Sequence, residues 1–151
     1  MTDRPDDMPI FRQRMRVDGG DIDELGHASN ISYVRWIQHV AMGHSRAVGW
    51  THDRYLELGA VFVVRRHEID YLRPAMANDE LEVCTWVEGW RAATSVRRTR
   101  IVRPTDGEEL ARASTTWALV AVEGGRPTRI PAELRHAFAV GVARSAAEGS
   151  P

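Results

Sequence analysis

Lysine is absent from this 151-residue chain, whose 20 basic residues are all arginine. Bias in the coding sequence accounts for this by itself, yet every cation is now a permanently charged, forked donor. Schiff-base and proton-abstracting lysine chemistry is therefore excluded. Cysteine is nearly absent too. Cys84, the single cysteine, forms no intrachain disulfide, and no Cys/His cluster has metal-ligand spacing, so neither a disulfide scaffold nor a metal site is expected. That pattern fits a reducing, cytoplasmic setting. No stretch reaches the roughly 20 apolar residues of a membrane-spanning helix. The polar start Met1-Thr2-Asp3-Arg4-Pro5-Asp6-Asp7 has no apolar segment behind it, so neither membrane insertion nor export is expected. Charge of one sign is missing as well: 20 basic against 21 acidic side chains leave a formal -1. Nucleic-acid binders normally carry a basic excess, so no nucleic-acid partner is expected.

What is present is an ordinary globular composition, 43% hydrophobic and 27% charged, at a length that suits one domain. That domain is expected over residues 10–140, with polar tails at 1–9 and 141–151. Phe11, Met15 and Val17 alternate with Arg12, Arg14 and Arg16, the period of a half-buried strand. From about Asn30 to Val48, Ile31, Val34, Ile37, Ala41, Ser45 and Val48 recur at three- and four-residue steps, which predicts one long amphipathic helix. Thr51 to Leu58 adds a short helical turn. Four strand-like runs follow, at 60–73, 80–91, 93–103 and 109–123, separated by Pro, Gly and Asn-Asp turn chemistry that favours antiparallel neighbours. A last helix is expected from Pro131 to Val140. The order is α+β, with one long helix laid on an antiparallel sheet of about five strands. Hotdog, cone-shaped NTF2-like and ferredoxin-like arrangements all share that outline.

The stretch most loaded with chemistry is Asp21-Ile22-Asp23-Glu24-Leu25-Gly26-His27-Ala28-Ser29-Asn30-Ile31-Ser32-Tyr33. Three carboxylates, a His, two Ser and an Asn gather around the start of the long helix, whose free N–H groups and positive dipole end form a ready oxyanion site. A thioester carbonyl placed there is polarised, and a neighbouring carboxylate can attack it or activate a water. The same residues also suit plain capping, with Ser29 or Asn30 as the N-cap.

The spacing Asp23-x-x-x-His27-x-x-Asn30-x-x-Tyr33, followed by Val34-Arg35-Trp36, resembles the signature of the 4-hydroxybenzoyl-CoA thioesterase-like hotdog family and of the related acyl-ACP thioesterases. The run from Phe62 to Ala75 resembles that family's long second strand, and Trp90-Arg91 with Thr94 to Arg98 its next hairpin, so the likeness spans roughly residues 10–138. The resemblance implies a hotdog fold, a long helix wrapped by the sheet, and a homodimer or homotetramer with active sites at the subunit interface. It implies an acyl-CoA or acyl-ACP substrate and no cofactor. By the same resemblance Asp23 is the catalytic carboxylate, the N–H groups around Ser29 and Asn30 hold the thioester oxygen, and His27 and Tyr33 belong to the site. Another branch of hotdog thioesterases carries its carboxylate as a Glu on the long helix; between Glu24 and Asp53 there is no acidic residue, which leaves Asp23, with Asp21 a weaker candidate that could shape the loop. The chain departs from its relatives in reading His27-Ala28-Ser29-Asn30 where they often have His-Val-Asn-Asn. Gln38 stands where they often have an acid, and Ala41 near where they have an Arg.

A CoA carrier brings phosphates, which Arg recognises through paired, charge-assisted hydrogen bonds. Arg91, in the turn where the family uses basic residues for the nucleotide, is the first candidate, followed by Arg65 and Arg98. Strand alternation places Arg98 and Arg100 on one face and Arg97 on the other. His39, His44, His52, His67 and His136 read as packing or surface residues. The five tryptophans exceed what a small core needs; some suit an acyl or aryl pocket, although core and interface packing is the commoner use.

Overall fold

The computed structural model describes residues 9–141; the expected tails lie, but for Pro9 and Gly141, outside the described residues. The elements run β1 (Phe11–Arg16), α1 (Asn30–Ala47), α2 (His52–Leu58), β2 (Ala60–Tyr71), β3 (Glu80–Trp90), β4 (Thr94–Arg103), β5 (Glu108–Ala121) and α3 (Ala132–Val140). All five strands form one antiparallel sheet in the order β1-β3-β4-β5-β2. The tight β3–β4 and β4–β5 hairpins set the centre, and the long excursion through α1 and α2 sends β2 to the far edge beside β5. One long helix on an antiparallel sheet is the arrangement expected of a hotdog, here with the two shorter helices α2 and α3 beside it.

Ser29 opens α1: its backbone is extended and its Oγ accepts from Ser32 N at 3.3 Å, which satisfies one of the first-turn donors. The buried face of the helix is Tyr33, Trp36, Ile37, Val40, Ala41 and His44. Ile31, expected in that stripe, is instead 70% exposed. At 3.6 residues per turn it lies about 200° around the helix from Tyr33, so the two cannot share one face. Near its other end α1 approaches β1 closely, and a Cβ added at Gly43 would meet the Phe11 ring at 3.4 Å. Thr51 Oγ1 caps α2, and Gly59, at φ 83°, ends it in the left-handed conformation that lets the chain turn straight into β2.

The interior divides in two. One apolar cluster joins Tyr33, Trp36, Ile37 and Val40 of α1 to Leu81, Val83, Ile101 and Leu110 of the sheet. The other joins Trp50, Tyr55, Leu119, Ile130, Leu134 and Phe138 beneath α2 and α3. Full burial of each such large side chain stabilises the fold by about 1.5–3 kcal/mol. Between the clusters runs a buried polar belt of His44, Thr85, Arg97, Thr99 and Thr115. Its members bond one another: Thr85 lies 3.3 Å from Thr99, and Thr115 lies 2.9 Å from Nδ1 of His67 on β2. Strand alternation holds on β4, where Arg97 points into this belt while Arg98 and Arg100 face outward.

Candidate active site

The loop between β1 and α1 is built on Asp21, not on Asp23. Asp21 is 8% exposed. Its Oδ1 accepts from Ser32 Oγ at 3.1 Å and Arg35 Nη1 at 3.2 Å, and its Oδ2 accepts from Asp18 N at 3.1 Å. Its carbonyl accepts from Ser29 N at 2.8 Å. One buried carboxylate thus ties a 3-10 turn at Gly19–Asp21 to the first two turns of α1. A second anchor comes from the sheet: Ala28 N donates to Ala75 O at 2.8 Å, and His27 bridges Met76.

Held at both ends, the intervening residues project. Asp23 is exposed. Its Oδ1 accepts from Leu25 N at 2.9 Å, and its backbone closes the turn through Asp23 N to His27 O at 2.8 Å. Oδ2 receives no hydrogen bond from the described residues. The His27 imidazole, half-buried, likewise has no side-chain partner among them.

The N–H groups at the helix start differ from expectation. Ser29 N is already donated to the Asp21 carbonyl, so it is not available to a substrate oxygen. Ser29 contributes as the N-cap. Asn30 and Ile31, at the first two helical positions, are the residues whose N–H groups have no acceptor among the described residues, as helix geometry leaves them. Asn30 is exposed, and its carbonyl lies 3.5 Å from the Tyr71 hydroxyl. Tyr33 is 2% exposed; its hydroxyl accepts from Ala75 N at 3.0 Å and faces Arg73 O at 3.4 Å, so it pins the strand end to the helix. Burial raises its pKa further above the ordinary value. Around the loop Leu25, Ile31, Tyr71, Leu72 and Met76 remain 76%, 70%, 43%, 41% and 41% exposed, an apolar collar unusual for a surface meant for water alone.

The three arginine candidates do not converge. Arg98 lies on the outer sheet face, ion-paired with Glu88 at 2.9 Å, beside Glu68, Asp70 and Arg112. Arg65 occupies the β2 register shift between Val64 and Arg66. Arg91 is exposed on the β3–β4 turn, its carbonyl accepting from Arg135 Nη2 at 3.0 Å. The loop meets the sheet where β3 begins and Arg91 follows where β3 ends. Within one chain the eleven residues of β3 thus hold them apart by roughly 33 Å.

A cavity of about 580 Å³ lies under the second half of α1, walled by α2, β2, the β3–β4 end of the sheet and α3. Trp50, Phe62, Trp90, Trp117 and Phe138 supply its aromatic walls, and Gln38 and Ala41, the two positions that depart from the resembling family, border it. Arg97 also borders it. Its Nη1 donates to His44 Nδ1 at 2.8 Å and to Thr85 Oγ1 at 3.1 Å. Burial, with Arg97 adding to it, pushes the His44 pKa down to about 3, and burial lowers Arg97 itself to about 10. Both residues escaped sequence reading as a pair, because a 53-residue separation joins them only once the helix lies on the sheet. None of Asp23, His27, Ser29 or Asn30 lines this cavity. Among the described residues no three His, Cys, Asp or Glu side chains are grouped to hold a metal ion.

A sequence profile described as the thioesterase-like superfamily matches residues 17–138. Chloroplastic palmitoyl-acyl carrier protein thioesterases are 27% identical over 133 residues in Arabidopsis thaliana and 25% identical over 134 residues in Cuphea hookeriana. The matches cover 83% and 84% of this chain but 32% of each relative, so the chain spans about a third of their length. Among solved structures, a 1,4-dihydroxy-2-naphthoyl-CoA thioesterase from Synechocystis superposes with a TM-score of 0.79 at 18% identity, over 86% of this chain and 96% of that one. A 4-hydroxybenzoyl CoA thioesterase variant complexed with 4-hydroxybenzoyl CoA gives 0.81 at 20% identity, over 85% and 98%. At those identities the likeness is one of fold, and the fold is the hotdog. The profile, by contrast, follows this sequence from just after β1 into α3, and on that match the chain belongs to the thioesterase-like superfamily.

Proposed function

We propose that this chain hydrolyses acyl-CoA thioesters to a carboxylic acid and free CoA, with Asp23 acting on the thioester and the Asn30 and Ile31 N–H groups receiving its carbonyl oxygen. One observation carries the reading: a single loop presents an exposed carboxylate with one oxygen unengaged by the described residues and leads into helix N–H groups that have no acceptor among them. Asp23 takes a proton from water as the water oxygen adds to the thioester carbon, and the carbonyl electrons move to the oxygen held by the helix. Collapse of that tetrahedral species breaks the C–S bond, and the departing thiolate takes up a proton. Direct attack by Asp23 would instead give a mixed anhydride and expel the thiolate; water adding to the aspartyl carbon of that anhydride would leave labelled oxygen in the Asp23 carboxylate. His27, on the same loop, is positioned to orient the thioester.

The separation of Asp23 from Arg91 supports a two-fold dimer. β2 is a twelve-residue edge strand, and a long unpaired edge is a template for another strand. Antiparallel pairing of two copies through β2 sets the loop end of one sheet beside the hairpin end of the other. A second copy's Arg91 and cavity then approach this copy's Asp23, and the exposed apolar collar is covered. An acyl-ACP carrier is the second reading, favoured by the curated relatives that act on acyl carrier protein thioesters.

The test is a thiol-release screen over acyl-CoAs and acyl-ACPs. Turnover of CoA thioesters, inhibited by free CoA and weakened by Arg91→Ala, is the expected result. Turnover of acyl-ACPs alone would move the carrier, and none with any thioester would make the chain a non-catalytic acyl-binding module.

A further inference from the structure

The inner face of the sheet carries a charge that packing alone does not call for. Arg97 is 5% exposed, and its bonds within the belt go to the neutral His44 and to the Thr85 hydroxyl. Its neighbours on the strand have carboxylate partners, Glu88 for Arg98 at 2.9 Å and Glu109 for Arg100 at 3.0 Å. Arg97 has none among the described residues. A buried cation without an anion opposes folding, because two neutral hydrogen-bond partners and the Phe138 ring, 5.6 Å away, replace only part of its lost hydration. Arg97 borders the cavity under α1. The rest of the wall is mostly apolar and aromatic.

We propose that this cavity receives an acyl group whose far end carries a carboxylate, seated on Arg97. The identity of the ligand as an acyl group rests on the hydrolase reading above; the anion site rests on Arg97 and the cavity. At about 580 Å³ the space falls within the range of small-molecule sites, roughly 300–1,000 Å³. A thioester anchored at a loop enters tail-first, so the group that reaches Arg97 is the one at the end remote from sulfur. In the two-fold arrangement the tail comes from the neighbouring copy's loop. An alkyl tail would leave the buried charge unmatched, whereas a terminal carboxylate pairs with it.

The experiment compares octanoyl-CoA with its ω-carboxy counterpart of the same chain length. The unsubstituted protein is expected to favour the ω-carboxy thioester by roughly 10- to 100-fold in kcat/KM, since a site built around polar groups rejects the analogue that leaves them unpaired. Arg97→Met, which keeps the stem and removes the charge, is expected to reverse the preference, and Arg97→Lys to restore part of it. Equal or better cleavage of octanoyl-CoA by the unsubstituted protein, or an unchanged ratio in a folded Arg97→Met, overturns the proposal. If Arg97→Met does not fold, the unsubstituted protein's ratio decides alone. If neither thioester is cleaved, the hydrolase reading fails separately, and quenching of the cavity tryptophans decides the anion site: tighter binding of the ω-carboxy thioester upholds it and equal binding overturns it.

Discussion

Arg97 Nη1 donates to His44 Nδ1 at 2.8 Å, a bond that joins the centre of β4 to the last turns of α1. It requires a neutral imidazole with Nδ1 unprotonated, and burial together with the Arg97 charge holds His44 in that form, its pKa at about 3 against an ordinary 6.5. Between those values the unfolded chain binds a proton that the folded chain refuses. The stability due to neutral His44 is therefore complete above pH 6.5 and declines as pH falls toward 3, by about 1.4 kcal/mol per pH unit. Burial lowers His67 in the same direction. Urea unfolding at pH 6.5 and pH 5 should show a loss of about 2 kcal/mol that His44→Asn, which offers Arg97 an oxygen that does not titrate, largely removes. An equal loss in both proteins would assign the pH dependence elsewhere.

Asp21 is the loop's internal strut. Replacing it by Ala leaves Ser32 Oγ, Arg35 and Asp18 N without their acceptor, which should cost about 1–3 kcal/mol. Turnover should fall as well, because the loop that carries Asp23 loses its tether. Asp21→Asn keeps Oδ1 as an acceptor and should recover much of the melting temperature. Thermal melting and steady-state rates measure both effects.

The element order, the antiparallel pairing and the opposite facing of Arg97 and Arg98 were all legible in the sequence, because side-chain periodicity and turn residues are local properties. The long helix is legible too, but its buried face excludes Ile31, because apolar spacing does not say which of two possible stripes a sheet will cover. The loop was recognisable as a cluster of chemistry. Its division of labour was not, since Asp21 and Asp23 differ only in which one the fold encloses. The engagement of Ser29 N by the Asp21 carbonyl follows from how the loop closes, which residue spacing does not record. The Arg97 and His44 pairing, and the distance from Asp23 to Arg91, are products of topology that no local pattern carries.

The helix N–H groups can be tested without touching a side chain that reacts. Ser29 is extended, at φ -68° and ψ 154°, so Asn30 is a position where proline fits without disturbing the helix start. Asn30→Pro deletes one N–H and should lower kcat about 100- to 1,000-fold if that group holds the oxyanion, with little change in melting temperature. Asn30→Ala keeps the N–H and should stay near the unsubstituted rate. Equal effects from the two variants would place the oxyanion elsewhere.

Shared sites predict complementation. If Asp23 of one copy works with Arg91 of the other, mixing Asp23→Asn with Arg91→Ala yields mixed dimers that each hold one intact site. Random exchange of subunits should restore about a quarter of the unsubstituted activity at low CoA-thioester concentration. Activity no greater than the mean of the separate variants would put Asp23 and Arg91 in the same copy or in unrelated sites.

The most direct measurement is hydrolysis of a preferred acyl thioester by Asp23→Asn and Asp23→Ala, with folding checked by melting temperature. Asn still offers Oδ1 to the Leu25 N–H, so it preserves the turn while removing the base and nucleophile. Both variants should lose at least about 100-fold in kcat with the fold intact. Thioester cleavage at the unsubstituted rate in both would contradict the assignment of Asp23.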